Sequence, residues 1–407
     1  MKPPSSPASP RHPLLARTAL VSSLAALSAL HAGPLVARAL NPVRQSETAR
    51  RIVAVGDVHG SAEGLTATLV RAGLIDAKQR WTGGKATFVQ TGDVMDRGPG
   101  VRAALDLLMA LEPQAAAAGG RVQVLLGNHE VMNLIADTRD ATPEIFRSFA
   151  DGDSESKREK AFQAAARIAP KGSLDKAAWL AEHPIGYVEY REALKPNGRY
   201  GRWLRSKPIL AEIDGSVFMH GGVNTEFSTD SLDDISRRAR RELAAWDEGV
   251  RWLEQQKLVV PVSILTEIVA AARAQLVQFS TYQKEGTLTE DHIRAARALL
   301  PLAEIGASSL LHPEGPLWFR GFSSWTDEEG APRMAALLQK FRVRRFVTGH
   351  TPQPAGRITT RFGGALFLID TGMLGGRFYP AGRPSALEIV GDAVRAIYED
   401  GVVPFDK

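Results

Sequence analysis

The chain has 407 residues, 44% of them hydrophobic and 23% charged, with 37 Gly, 24 Pro and no Cys. That composition excludes a disordered, collagen-like or polytopic membrane protein, and the missing thiols exclude disulfides, thiolate metal sites and cysteine nucleophiles. The formal charge of +5 resides largely in the first 39 residues, which carry Lys2, Arg11, Arg17 and Arg38 and no acid; the remainder holds 46 bases against 45 acids, so no nucleic-acid partner is expected.

Residues 1–17 are basic and rich in Pro and Ser, residues 18–32 are uncharged and mostly apolar, and Ala37-Arg38-Ala39 has the small-x-small pattern of a signal-peptidase site. The expectation is a signal peptide over 1–39 and export to a periplasm or the exterior, leaving no stable membrane span after cleavage. Left uncleaved, the uncharged stretch from Thr18 to Ala37 is long enough to anchor the chain in a membrane. His31, Gly33 and Pro34 weaken that alternative.

From residue 51, short runs of Val, Ile, Leu and Phe bounded by Gly or Asp predict strands over 51–55, 86–90, 121–126, 209–213, 216–219, 344–348 and 365–369. Helical spacing at 61–72 and 100–111 follows the first two strands, which is the βαβ rhythm of a layered α/β fold. The strand signal vanishes over 134–200 and 228–312. Within them, 231–256 and 263–303 read as amphipathic helices, with Ile, Leu and Ala three and four apart among Arg, Glu and Gln. Both stretches read as helical insertions in one domain over 48–407.

The chemistry-bearing residues sit where strands end. The first strand runs into Gly56-Asp57-Val58-His59-Gly60, the second into Gly92-Asp93-Val94-Met95-Asp96-Arg97-Gly98, and the third into Gly127-Asn128-His129-Glu130. Later ends carry His220-Gly221-Gly222 and Gly349-His350-Thr351. Ligands of open α/β sheets bind outside the carboxyl ends of strands, and Gly lets the backbone approach closely there. Singly, each motif reads as a turn. Jointly, three aspartates, one amide and four imidazoles suit two hard-to-borderline divalent ions.

In order, GDVHG, GDVMDRG, GNHE, HGGV and GHTP resemble the motifs of the calcineurin-like metallophosphoesterases, within them the phosphoprotein phosphatase branch. The runs GRWLRSKPIL, FMHGGV, GPLWFRG and VTGHTPQ resemble the bacterial-type Shewanella-like phosphatases. The resemblance spans roughly residues 50–400 and implies a four-layer sandwich of two packed mixed β-sheets flanked by helices.

It also implies a site. Asp57 and His59 would hold one metal ion, Asp93 would bridge, and Asn128, His220 and His350 would complete the second; Mn, Fe and Zn all suit such ligands. Two cations sharing one hydroxide give a nucleophile for in-line attack on phosphorus. His129, paired with Asp96 and pointing away from the metals, would protonate the leaving group. Arg97 would grip phosphate with its planar fork, together with Asn128 and a second arginine for which Arg320 is the candidate and Arg202 the rival. Glu130 would support the loops, and Asp370 reads either as a closing residue beside His350 or as a turn.

The expected reaction is hydrolysis of a phosphomonoester, with a phosphoprotein carrying phosphorylated Ser, Thr or Tyr, or a small monoester, as substrate. The sequence has Thr351-Pro352 after His350 and so lacks the second His of GHxH found in many diesterases of the superfamily. A nucleotide or dinucleoside polyphosphate hydrolase is the alternative, against which Trp246, Trp252, Phe279 and Tyr282 read as scattered rather than as a base-stacking cluster. A non-catalytic exported metal or phosphate binder is the alternative of another class. No ligand or acid residue is missing, which argues against it.

Overall fold

A computed structural model describes residues 50–170, 172–225 and 230–405. The leader-like residues 1–39 lie outside that set. Among the described residues no helix is long and apolar enough to cross a membrane.

Among the described residues eleven strands form two mixed sheets. The first contains β1 (Arg51–Val55), β2 (Thr87–Gln90) and β3 (Arg121–Val124), and the second contains β4 (Leu210–Ile213), β5 (Ser216–Met219), β6 (Arg345–Thr348), β7 (Thr359–Arg361) and β8 (Leu366–Leu368). Strands β9 (Ser385–Val390), β10 (Ala393–Tyr398) and β11 (Gly401–Phe405) complete the first sheet in the order β11-β10-β9-β1-β2-β3. The second runs β4-β5-β6-β8-β7. In the first sheet β1, β2 and β3 run parallel and β9 lies antiparallel to β1; in the second β5, β6 and β8 run parallel.

Alternation along β1 explains the layering. Ile52 and Ala54 join Val89, Phe218, Val347 and Phe367 in one buried cluster drawn from both sheets, whereas Val53 and Val55 join the larger core with helix residues such as Leu65, Leu69 and Leu105. A strand covered on both faces reads as a continuous apolar run, as this one does. Helices Ala62–Arg71 and Val101–Ala117 supply the crossovers. The result is the layered α/β sandwich expected.

The structure departs from the sequence reading in three places, the first with a local cause. The helix expected over 263–303 is two helices, Leu265–Lys284 and Glu290–Ala303. Gly286 at φ +73° turns the chain between them, and Thr289 caps the second through its hydroxyl, which accepts from His292 N at 3.3 Å. Three of the four aromatic residues read as scattered gather around His292, which stacks on Phe279 at 5.2 Å and on Tyr282 at 4.9 Å, with Trp252 edge-on to Phe279 at 6.3 Å; Trp246 is buried in the core. Strands β7 and β9–β11 were not anticipated.

The other insertion contributes helices Pro143–Arg147, Ser154–Ile168, Lys176–Glu182, Tyr187–Leu194 and Arg199–Arg205. Its aromatic side chains pack in series, Phe146 against Tyr187 and Tyr190, and Phe149 against Tyr190 and Tyr200. This brings Tyr190 fully into the interior beneath the GNHE turn.

Candidate active site

The turns after β1, β2, β3, β5 and β6 meet at one rim. Asp57, His59, Asp93, Asn128, His129, His220 and His350 are all buried there. Close approach of these turns depends on glycine at two places. A Cβ on Gly127 would lie 2.2 Å from Asp93 Oδ1, and one on Gly349 would lie 2.3 Å from Asp57 Oδ1. The backbone is strained as well, since His59, Asp93, Asp96, Arg97 and His350 all have φ between +46° and +69°. Such conformations cost of order 1–3 kcal/mol each and cluster at functional sites.

Three imidazoles are oriented by the backbone. His59 Nδ1 bonds the Met95 carbonyl at 2.9 Å, His220 Nδ1 the Thr91 carbonyl at 3.1 Å, and His350 Nε2 the Trp318 carbonyl at 3.0 Å. A carbonyl accepts only, so each of those nitrogens carries the proton and the opposite nitrogen presents a lone pair inward. Inward, His220 Nε2 meets Asn128 Oδ1 at 2.8 Å, His350 Nδ1 at 3.1 Å and Asp93 Oδ2 at 3.2 Å. His59 Nε2 lies 3.6 Å from Asp93 Oδ2 and 3.8 Å from Asp57 Oδ2.

Acceptors thus converge on acceptors, an arrangement that a cation resolves. Two groups stand out, His59 with Asp93 and His129, and Asp93 with His220 and His350; within each, the ligand atoms all lie within 4.8 Å of one another. Asp93 is common to both. Asp57 lies at the edge of the first group, with its Oδ1 accepting from His350 N at 3.0 Å. Asp370 Oδ2 is buried without a hydrogen bond, and its Oδ1 accepts from Gly372 N at 2.9 Å. The residues present therefore fit two divalent ions sharing Asp93.

The protonation pattern agrees. Burial keeps His59 well below the usual imidazole range, and burial, with His220 and Arg320 alongside, pushes His350 down to about 2, so both rings are neutral. Burial raises Asp57 well above the carboxylate range, and the neighbouring Asp370 and Asp93 add to it. Burial likewise pushes Asp370 up to about 6. Carboxyl groups crowded this way ionise fully when cations arrive.

His129 behaves differently. Its Nδ1 bonds Asp96 Oδ2 at 2.7 Å while its Nε2 lies 3.8 Å from Asp93 Oδ2, nearer the shared carboxylate than the sequence reading places it. Burial opposes its charge, but Asp93 and Asp96 outweigh burial and raise it to about 9. Asp96 is fixed in turn by Asn133 Nδ2, which donates to both its oxygens at 2.9 Å, and Asn133 Oδ1 accepts from Tyr190 at 2.6 Å. The first insertion thereby buttresses the His129–Asp96 pair.

Glu130 ties two turns together. Its Oε2 accepts from the Asp93 and Gly127 amides, both at 2.7 Å, and its Oε1 from the Val94 and Met95 amides at 2.8 and 3.0 Å. Arg97 reaches His59 Nε2 and the Tyr379 hydroxyl through Nη1, and His129 Nε2 at 3.2 Å through Nη2. Its fork thus stands beside the cation-binding atoms. Arg320 stands at the rim, its Nη1 donating to the His350 carbonyl at 2.9 Å and to Thr351 Oγ1 at 3.0 Å. Arg202 is exposed on helix Arg199–Arg205, whose Tyr200 and Trp203 bond Asp106 and Glu112, so that helix faces the crossover helix.

Tyr379, Asn133 and Tyr190 were not singled out from the sequence. Tyr379 stacks on His59 at 6.1 Å, and the glycine-rich turn after β8 folds around it. The only local signal was that turn, Gly372 to Gly382, following Asp370.

Cation-binding acceptors next to a guanidinium fork and a proton-carrying imidazole meet the needs of phosphoric ester hydrolysis, where charge on phosphorus must be neutralised and a leaving oxygen protonated. Scaffold and site together define a metal-dependent phosphoesterase. Residues 50–354 match the family model for calcineurin-like phosphoesterases, and the chain belongs to that family as a phosphatase. It is 23% identical to Shewanella-like protein phosphatase 1 of Plasmodium berghei, over 85% of this chain and 74% of that protein. It is 33% identical to Shewanella-like protein phosphatase 2 of Arabidopsis thaliana, over 50% of this chain and 54% of that one. A solved structure of a cold-active protein tyrosine phosphatase superposes with a TM-score of 0.56 at 22% identity, covering 88% of this chain and 79% of its own, a likeness of fold.

Proposed function

We propose that this chain is a phosphoprotein phosphatase that hydrolyses phosphomonoesters at a two-metal site. The observation that carries the chemistry is the gathering of the inward lone pairs of His59, His220 and His350 around Asp93. Asp57 and His59 would hold one cation, Asn128, His220 and His350 the other, and Asp93 would contribute to both. When bound, such ions supply Lewis acidity and lower the pKa of water towards neutrality.

The chain's own residues do the remainder. Arg97 stands where its two nitrogens engage two oxygens of a phosphoryl dianion, a pairing stronger than with a monoanionic diester. His129, kept protonated by Asp96 and Asp93, delivers its proton from Nε2 to the departing oxygen. Asn133 and Tyr190 hold Asp96 in place, and Glu130 keeps the turns bearing Asp93 and Asn128 in register.

The protein substrate is supported by the relatives named protein phosphatases. Export to a periplasm is part of the proposal and is supported by the character of residues 1–39. The experiment is hydrolysis by the purified chain, with manganese or with chelator, of an aryl monoester, its diester, a nucleotide, and phosphotyrosine and phosphoserine peptides. Chelator-sensitive turnover of monoester and phosphopeptides is expected. Turnover confined to nucleotides or diesters would overturn the substrate class.

A further inference from the structure

Asp370 is a buried carboxylate at the rim that the proposed chemistry does not use. It follows β8, whose parallel pairing with β6 continues through the Ile369 amide, which donates to the Thr348 carbonyl at 2.8 Å. Asp370 therefore leaves its strand at the level where β6 leaves for His350, and its own carbonyl accepts from Gln353 N at 2.9 Å. On the other side lies the turn after β1. A Cβ on Gly56 would stand 2.4 Å from the Ile369 carbonyl oxygen and 3.1 Å from Asp370 N, so glycine there lets the backbone leading into Asp57 lie directly against that of Asp370.

The side chain of Asp370 is wholly buried. Its Oδ1 accepts from Gly372 N at 2.9 Å and closes the turn, while its Oδ2 accepts from no donor among the described residues. A turn residue needs only the first oxygen. A buried carboxylate oxygen without a donor is costly, and a cation at that oxygen removes the cost. The groups that act on this oxygen are mostly further carboxylates: Asp57 is close enough for each carboxyl to perturb the other, and Asp93 acts on both. His220, the imidazole whose field reaches Asp370, commits its proton to the Thr91 carbonyl.

We infer that Asp370 supplies a third carboxylate to the cation held by Asp57 and His59, and that this makes the two metal positions chemically unequal. The first then has Asp57, Asp93 and Asp370 with one imidazole, a set suited to a hard ion such as manganese. The second has Asp93 and the Asn128 amide with the imidazoles of His220 and His350, a set suited to a borderline ion such as zinc. The inference rests on the two-metal reading above and adds a ligand and a metal preference to one half of it.

The test is calorimetric titration of the chelator-stripped full chain with manganese and with zinc, beside its melting temperature in chelator and in manganese. The variant is Asp370→Asn, whose Oδ1 can still receive the Gly372 amide, so that the negative charge is what is lost. The parent is expected to hold two ions, and the variant to bind one of them at least about tenfold more weakly, with the larger loss for manganese. In chelator the variant should melt no lower than the parent, because it removes one of the crowded carboxylates, whereas in manganese it should melt lower. His350→Asn disables the other position, so it should keep the ion that Asp370→Asn weakens, and the double variant should hold neither tightly. Two ions bound as in the parent, a loss no larger for manganese than for zinc, or a double variant that keeps a tight ion overturns the inference and leaves the two-metal reading standing. A variant that melts below the parent in chelator does the same, marking Asp370 as a turn residue. A parent that binds neither manganese nor zinc overturns the two-metal reading, and the inference with it.

Discussion

His220 Nε2 and His350 Nδ1 face one another at 3.1 Å while the Thr91 and Trp318 carbonyls hold the opposite nitrogens of the two rings. Lone pair thus opposes lone pair inside a buried pocket, and removal of metal leaves that opposition unrelieved. Chelation should therefore abolish turnover and lower the melting temperature, with manganese restoring both. At free metal a thousandfold above Kd, binding contributes about 4 kcal/mol. A melting curve indifferent to chelator would sink the assignment.

Asp93 and His129 separate metal binding from proton delivery. Asp93→Asn should reduce metal content at both positions and abolish hydrolysis, because Asp93 is shared by the two groups, its Oδ2 lying near both His59 and His220. His129→Asn should retain both ions and lose kcat by about 10²–10⁴-fold. Elemental analysis beside steady-state kinetics distinguishes them, and a fully active His129 variant removes the proposed acid.

The pH profile follows from the elevated pKa of His129, about 9. As a proton donor it works only below that value, so kcat falls on the alkaline side. Asp96→Asn removes one of the two carboxylates that sustain the imidazolium, which lowers the pKa and moves the alkaline limb to lower pH. An unmoved limb in that variant would assign it to another group.

Glu130→Gln tests the tie between the turns. An amide offers one oxygen where the carboxylate serves four backbone amides, and its NH2 opposes two of them. The cost should be about 2–3 kcal/mol from unsatisfied buried donors, read as a lower urea midpoint. A midpoint equal to that of the parent would show that the turns hold without it.

Tyr379→Phe removes the hydroxyl that accepts from Arg97 but keeps the ring against His59. KM for an aryl phosphate and Ki for inorganic phosphate should rise by roughly three- to tenfold, with a smaller change in kcat, as expected for a lost bond to a charged group. Equal losses in kcat and kcat/KM would move Tyr379 from substrate binding into the chemical step.

The parallel strands and the rim were readable because each buried strand is an apolar run ending in a Gly-flanked Asp, Asn or His. The C-terminal hairpins were less so: β9 and β10 carry Glu388 and Arg395, which pair with each other, and charge within a strand interrupts the apolar signal. Their clue was the two-residue turn Gly391-Asp392 between Val390 and Ala393. The break at Gly286 was hidden because Ile, Leu and Ala keep helical spacing on both sides. At the site, every motif residue converged, but Tyr379 meets Arg97 across 282 positions and Tyr190 meets Asn133 across 57. Neither partner bears a local mark of its task, since the tertiary fold alone brings them together.

The pairing of β1 with β9 has a kinetic corollary. Ile52 lies opposite Ile389, so the strand that leads into Asp57 and His59 gains its antiparallel neighbour only after nearly the whole polypeptide has been synthesised. A ribosome making about 5–20 residues per second leaves that edge waiting tens of seconds. Contacts of such sequence separation also fold slowly. Maturation of this enzyme is therefore a late event in the life of each chain, and the supply of metal ions matters most after translation has ended.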